Sequence, residues 1–205
     1  MKHHTEYFWI LVAVGVGLVW SGVAPLDRLT WFLEVIPVLV GVPLLILTYR
    51  GFPLTPLVYR LLALHSVILL VGGHYTYAEV PVGFWLQDVL EFHRNPYDRI
   101  GHFAQGFIPA LLVREILLRC SPLRVDYWLV FIVAAICLAF SAMYELFEWA
   151  TAMVTGEAAE AFLGTQGDVW DTQWDMFLAL VGALIAQLLF AGIHDRQLAL
   201  IVQRS

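Results

Sequence analysis

The chain has 205 residues, of which 60% are hydrophobic and 14% charged, with a formal net charge of −6. Its mean hydropathy is +0.77. A soluble domain carries about 25% charged residues, so this chain cannot cover a core with polar surface, and a membrane-embedded protein is what remains. The length suits one compact bundle over residues 1–205 with no room for a soluble domain. The acidic balance argues against a nucleic-acid partner.

In chain order, the first apolar run, Phe8 to Val23, lacks a cleavage site of the Ala-x-Ala kind after it and reads as a retained span. Tyr7, Trp9 and Trp20 mark its interfaces. Pro25 to Arg28 is a turn, and the second span follows from Trp31 to Tyr49 with Pro37 and Pro43 inside it. Proline is tolerated there because neighbouring helices satisfy the freed carbonyls. Arg50-Gly51-Phe52-Pro53 breaks the chain, Pro56 opens the third span, and that span continues to Gly73. In the connection that follows, residues 74–97, the mixed stretch Gly83 to Leu90 reads as a short helix lying in the interface. The fourth span runs from Asp98 to Leu118 and the fifth from Asp126 to Ala150. After a second connection, residues 151–171, the sixth runs from Thr172 to Ile193. Cys120 and Cys137 read as small packing residues rather than a disulfide.

The fold class expected is therefore all-α, an integral membrane bundle of six transmembrane helices. Alternation of the spans puts Lys2, Arg50, Arg60, Arg114, Arg119, Arg124, Arg196 and Arg204 on one side and Arg28, Arg94 and Arg99 on the other, eight against three. Loops rich in Lys and Arg stay in the cytoplasm, so both termini are expected there, in a multi-pass protein of the cell inner membrane. The acidic residues run the other way. Thirteen lie in the outer half, and only Glu6, Glu115, Asp126 and Asp195 in the inner. Acidic residues contribute little to orientation, so this imbalance asks for another cause.

Helix spacing narrows the question. Asp98 and His102 are four apart and share a face at the outer end of the fourth span, a face that Gln105 and Pro109 continue. Glu145 and Glu148 are three apart near the outer end of the fifth. Asp168, Asp171 and Asp175 fall at i, i+3 and i+7 at the start of the sixth. Ionisable groups are costly in a bilayer, so a set gathered at one depth is a functional-site hypothesis. Carboxylate oxygens with one imidazole suit Zn, Mn, Mg or Fe, whereas neither a His-Glu-x-x-His signature nor a Cys pair is present. The expected metal ligands are His102, Glu145, Glu148, Asp171, Asp175 and Asp98, with the catalytic carboxylate drawn from Glu145, Glu148 and Asp168.

Plainer readings stand beside these. Asp98 and Asp168 can each cap a helix. His102 can be a satisfied core imidazole, Asp171 a solvated loop residue, and the Glu145/Glu148 pair can be neutralised by Arg99. Glu34, His65, His74, His93 and Arg94 read as peripheral. The Gly164-Thr165-Gln166-Gly167 turn offers backbone donors that could nest a phosphate or substrate.

Three stretches carry a resemblance: Arg99-Ile-Gly-His-Phe-Ala-Gln-Gly-Phe-Ile-Pro-Ala110, Ser141-Ala-Met-Tyr-Glu-Leu-Phe-Glu-Trp149 and Gly164-Thr-Gln-Gly-Asp-Val-Trp-Asp-Thr-Gln-Trp-Asp-Met176. With them the chain resembles, nearly over its full length, the YjdF inner-membrane protein family. It is also faintly similar to VanZ-like membrane proteins, in which an Asp-x-x-x-His pair opens a helix. The resemblance implies a multi-span membrane protein with these stretches as its hallmark, and it assigns no reaction.

Three functions are compatible with this pattern. The first is a metal-dependent membrane hydrolase acting at the outer face on a lipid-linked or envelope substrate, with membrane lipids as its surroundings and a metal-acidified water as nucleophile. The second is an ion- or proton-coupled transporter, which the crowding of charge at one end and the lack of a visible inverted repeat disfavour. The third is a non-catalytic membrane scaffold.

Overall fold

The computed structural model describes residues 3–155 and 160–203, and among them helix is the only regular structure. The helices in chain order are α1 (His4–Gly22), α2 (Arg28–Thr48), α3 (Pro56–Tyr75), α4 (Pro81–Leu90), α5 (Tyr97–Cys120), α6 (Tyr127–Thr155), α7 (Glu160–Leu163) and α8 (Asp171–Val202), with a 3₁₀ turn at Tyr77–Glu79 before α4. Lys2, Glu157 and Arg204, counted in the charge tally, lie outside the described residues.

Local chemistry sets the helix boundaries. Asp27 caps α2 by accepting from the Thr30 amide at 2.7 Å, and Asp126 does the same for Leu129 at 3.0 Å ahead of α6. Pro56 and Pro81 open α3 and α4, where a missing N–H costs nothing. Pro37 and Pro43 lie within α2, as the sequence led us to expect.

Five helices, α1, α2, α3, α6 and α8, are each long and apolar enough to cross a membrane. The expected sixth, α5, has 24 residues but carries Asp98, Arg99, Arg114, Glu115 and Arg119. Five helices thus qualify by length and composition, and α5, the remaining span expected from the sequence, does not meet that measure. The difference has a physical cause. Helix α5 packs against α3, α6 and α8, so its faces meet protein and need not be apolar. The apolar surface that faces outward belongs to the other helices, with Val16, Leu47, Val154 and Leu188 among the most exposed side chains.

Two groups of helices meet along α5. In one, Val14, Val35, Val38 and Leu70 join α1, α2 and α3. In the other, Ala110, Leu129, Val133, Cys137, Ala183 and Ala186 join α5, α6 and α8. The α5–α8 contact is the closest. A side chain added at Gly106 would run into the Ala179 carbonyl, and one at Gly182 into the Phe103 carbonyl. Ala179, Ala183 and Ala186 are fully buried along the same stripe of α8. Small residues let the two backbones touch, which supplies dispersion contact in a lipid solvent that offers no hydrophobic drive. This seam fixes the start of α5 beside the start of α8, where the polar residues collect.

Helix α4 falls where the short interfacial helix was expected and exposes Phe84, Trp85, Val89 and Leu90. Connection 151–171 is shorter than expected, because α6 continues to Thr155 and α7 occupies Glu160–Leu163. Both cysteines are free.

Candidate metal centre

Asp98 and His102 on α5, Glu145 and Glu148 on α6, and Asp171 and Asp175 on α8 are all buried, none more than 7% exposed. They converge as the helix spacing led us to expect, but into two chemically distinct arrangements.

The first is built on His102. Its Nε2 faces Asp98 Oδ1 at 3.5 Å and its Nδ1 faces Glu145 Oε1 at 3.8 Å. Two sets of donors can each close on one ion, Asp98 with His102 and Asp175, and His102 with Glu145 and Glu148, every set within 4.8 Å. Ligands on opposite sides of an octahedral ion are about 4.2 Å apart, so small side-chain shifts suffice. His102 Nδ1, Glu145 Oε1 and Asp175 Oδ1 are buried and have no hydrogen-bond partner. Three such orphans from three helices are costly unless something satisfies them. The Arg99 pairing considered for Glu145 and Glu148 does not occur. Among the described residues, no Lys or Arg lies within salt-bridge distance of either glutamate, and Arg99 goes to Asp168 at 2.7 Å. Each of the two three-residue sets can in principle hold a divalent cation.

The second arrangement is built on Arg94, just ahead of α5. Its guanidinium pairs with Asp98 at 3.2 Å, lies 3.7 Å from Asp168 and contacts Asp171 directly. It also donates to the carbonyls of Thr165 at 3.1 Å and Gly164 at 3.2 Å. Arg94 therefore belongs to the centre, and its reading as a peripheral loop residue is corrected. The Gly164–Gly167 turn is corrected too, since it presents carbonyl acceptors to Arg94 where an anion nest would present N–H donors. Gly164 and Gly167 adopt positive φ, +60° and +82°, in this turn, a conformation open to glycine. Gln166 holds the turn by exchanging two hydrogen bonds of 3.0 Å with the Asn95 backbone.

Asp168 and Asp171 thus stand in arginine ion pairs rather than in either set of metal donors. Asp168 also accepts from the Trp170 amide at 2.9 Å within the turn ahead of α8, whose N-cap is Trp170 with no side-chain cap, so the capping role read for Asp168 is corrected. A sequence signal for Arg94 existed, because it precedes Asp98 and His102 on the same i, i+4 ladder.

Of the peripheral residues, Glu34 borders the centre. It is buried and accepts from the Tyr144 hydroxyl at 3.0 Å, and the Tyr144 ring meets the His102 ring edge-on at 6.4 Å. Tyr77, in the 3₁₀ turn, closes the same side, and burial holds its phenol well above the usual tyrosine range, so it stays neutral. His74 instead ties α3 to α1 through the Ser21 carbonyl at 3.0 Å. His93 is exposed on the surface, and His65 makes no hydrogen bond among the described residues.

A second polar network lies at the other end of α5 and α8, and sequence reasoning missed it. Arg114, Glu115 and His194 are at most 2% exposed. Arg114 donates to His194 Nδ1 at 2.8 Å and to Asp195 at 2.5 Å. A guanidinium can only donate, so Nδ1 accepts and His194 Nε2–H donates to Glu115 at 3.1 Å. Glu115 also takes the Thr55 amide and hydroxyl and Arg119. The Arg–Glu–His set is satisfied, unlike the centre around His102.

Fold and site together define a multi-pass helical membrane protein with a buried His-carboxylate centre. The model of the family described as predicted membrane protein (DUF2238) matches residues 7–196, and the chain belongs to that family. It is similar to the inner membrane protein YjdF of Escherichia coli (strain K12), with 54% identity over 181 residues, covering 88% of this chain and 87% of that protein. No solved structure matches it. The chain is a multi-pass inner-membrane protein whose buried Asp, Glu and His clusters can in principle hold a metal.

Proposed function

We propose that this protein is a metal-dependent membrane hydrolase whose centre opens to the outer face and acts on a lipid-linked or envelope substrate. The observation that carries this reading is that two three-residue donor sets share His102 and each holds unpartnered buried atoms, His102 Nδ1 and Glu145 Oε1 in one and Asp175 Oδ1 in the other. One imidazole among carboxylates suits Mn²⁺ or Fe²⁺, with Zn²⁺ and Mg²⁺ as the other candidates. A cation held there would supply Lewis acidity and an acidified water.

The chain's own residues set the rest. Asp98 and Asp175 on one side of His102, and Glu145 and Glu148 on the other, offer more carboxylates than one ion needs. With an ion bound, the glutamate left over would be available as a base. Arg94 and Arg99 hold Asp171 and Asp168 out of the donor set and supply positive charge beside it. Helix α5 counts as the sixth span in this reading, and the eight-to-three bias of basic residues puts both termini in the cytoplasm. The centre then lies shallow in the outer leaflet, where a lipid-linked group can reach it.

Ion transport is the weaker reading. His102 and Arg114 are twelve residues apart on α5, about 18 Å. Between them the buried α5–α8 seam is lined by Gly106, Ala110, Ala179 and Ala183, and the buried polar side chains nearby, Ser141 and Gln187, carry no titratable group. A scaffold role would leave the three orphaned atoms without a purpose.

The test is elemental analysis of protein purified without chelator. About one or two equivalents of a divalent transition metal are expected in the parent and loss of it in Asp175→Asn. Metal-free parent protein under those conditions overturns the reading.

A further inference from the structure

Beside the centre runs a groove of about 920 Å³, lined by α4, by the segment leading into α5, by one face of α5 and by Leu178 of α8. Its volume is in the range of small-molecule sites. The lining is graded. Glu91, His93, Arg94, Arg99, Gln166 and Asp168 supply a polar rim around the start of α5, and Ile100, Phe103 and Leu178 supply an apolar wall further along α5 and α8, joined by Leu86 and Leu90 of α4. Pro96, Ile100 and Phe103 follow one another at helix spacing, so the groove descends along α5 from the polar end toward the apolar middle.

Arg99 is the distinctive group at the rim. Its guanidinium lies 5.7 Å from the Trp174 ring and its side chain is 35% exposed. It makes one hydrogen bond among the described residues, from one terminal nitrogen to Asp168. A guanidinium carries five N–H donors; Nε of this one is buried, so the donors left for a ligand are those on its terminal nitrogens that Asp168 does not hold. Arg94, by contrast, is 10% exposed and engaged by Asp98, Asp171 and two carbonyls. A polar head at Arg99 is next to Arg94, and Arg94 contacts Asp98, which faces His102.

We propose that the groove binds a phosphodiester amphiphile, its phosphate on Arg99 and its hydrocarbon chain along Ile100, Phe103 and Leu178. Arginine matches phosphate oxygens with paired donors, and the graded lining matches a molecule with one charged end and one apolar chain. Glu91 and Asp168 on the same rim disfavour heads of higher negative charge and tolerate a cationic group beside the phosphate. As the substrate class of the centre, the amphiphile rests on the hydrolase reading. As a ligand of the groove it does not, so binding is measured where no metal chemistry can occur.

The experiment uses the full chain in detergent with the Asp175→Asn substitution and chelator present. Binding is compared for lysophosphatidylethanolamine, for monoacylglycerol of the same chain length, and for inorganic phosphate. The phospholipid is expected to bind at least about tenfold tighter than the monoacylglycerol. Arg99→Gln should remove that difference, and Leu178→Trp, which fills the wall, should weaken both lipids. Equal binding of the two lipids by the unsubstituted groove overturns the proposal, whether or not the Arg99 variant folds. Inorganic phosphate competing as well as the phospholipid also overturns it, since the site would then read a soluble anion. Loss of metal from the parent protein together with retained lipid discrimination would refute the hydrolase and leave the groove standing.

Discussion

Asp98 faces His102 with one carboxylate oxygen, 3.5 Å from Nε2, while its other oxygen takes the Arg94 guanidinium at 3.2 Å. One side chain thereby joins a satisfied ion-pair network to an unsatisfied donor set. Its outer half is structural and its inner half is free to coordinate.

Arg94 neutralises two buried carboxylates, so its removal is costly. Breaking a buried pair from one side typically costs about 3–5 kcal/mol, because a charge is left buried and alone. Arg94→Ala should lower the thermal midpoint strongly, and Arg94→Lys should recover only part of the loss, since an ammonium cannot fork between Asp98 and Asp171. A thermal shift unchanged by Arg94→Ala would contradict the network.

The two ends of α5 should behave independently. Glu115→Ala strips Thr55, Arg119 and His194 of their acceptor and should destabilise by about 3 kcal/mol or more. Sites this far apart add, so metal content should be unchanged and the combination with Asp175→Asn should show no coupling beyond about 0.5 kcal/mol. Metal loss in Glu115→Ala would contradict the separation.

The α5–α8 seam sets the geometry of the centre. Gly106→Leu forces a side chain against the Ala179 carbonyl, where backbone cannot yield cheaply. Overpacking costs about 1–3 kcal/mol, and the displaced α8 should also carry Asp175 away from His102. The expected outcome in a folded, monodisperse variant is weaker metal retention with no donor residue changed. Full metal retention would show that the seam does not position the centre.

Among the donors, His102→Ala should reduce metal affinity by at least about 100-fold, because His102 is common to both donor sets. Glu148→Gln should cost less, since Asp98 and Asp175 remain on the other side of the imidazole. Competition with a chromogenic chelator measures both. Equal loss in the two variants would place the ion in the His102, Glu145 and Glu148 set alone.

Much of this was legible in the sequence. Apolar runs set the spans, and Pro56 and the aspartates at 27 and 126 fell at helix starts, where helix chemistry favours them. Spacing of three and four brought Asp98, His102, Glu145, Glu148 and Asp175 to one depth. What spacing could not reveal was pairing across elements. Arg94, in a polar connection, reads as a solvated loop residue until α8 places Asp171 against it. The same limit hid the network at the other end of α5, since Arg114 and Glu115 look like ordinary charges at a helix end until His194 and Thr55 close over them. Composition alone leaves α5 out of the apolar spans, because a helix packed against α3, α6 and α8 has less need of an apolar surface.

The central claim is that an ion lies among His102, Asp98, Asp175, Glu145 and Glu148. Anomalous diffraction from metal-replete crystals, collected on both sides of the metal's absorption edge, tests it most directly. The account predicts a peak about 2.0–2.3 Å from a His102 nitrogen and from oxygens of at least two of those carboxylates. No peak at that position, with His102, Glu145 and Asp175 hydrogen-bonded to one another or to water, would contradict it.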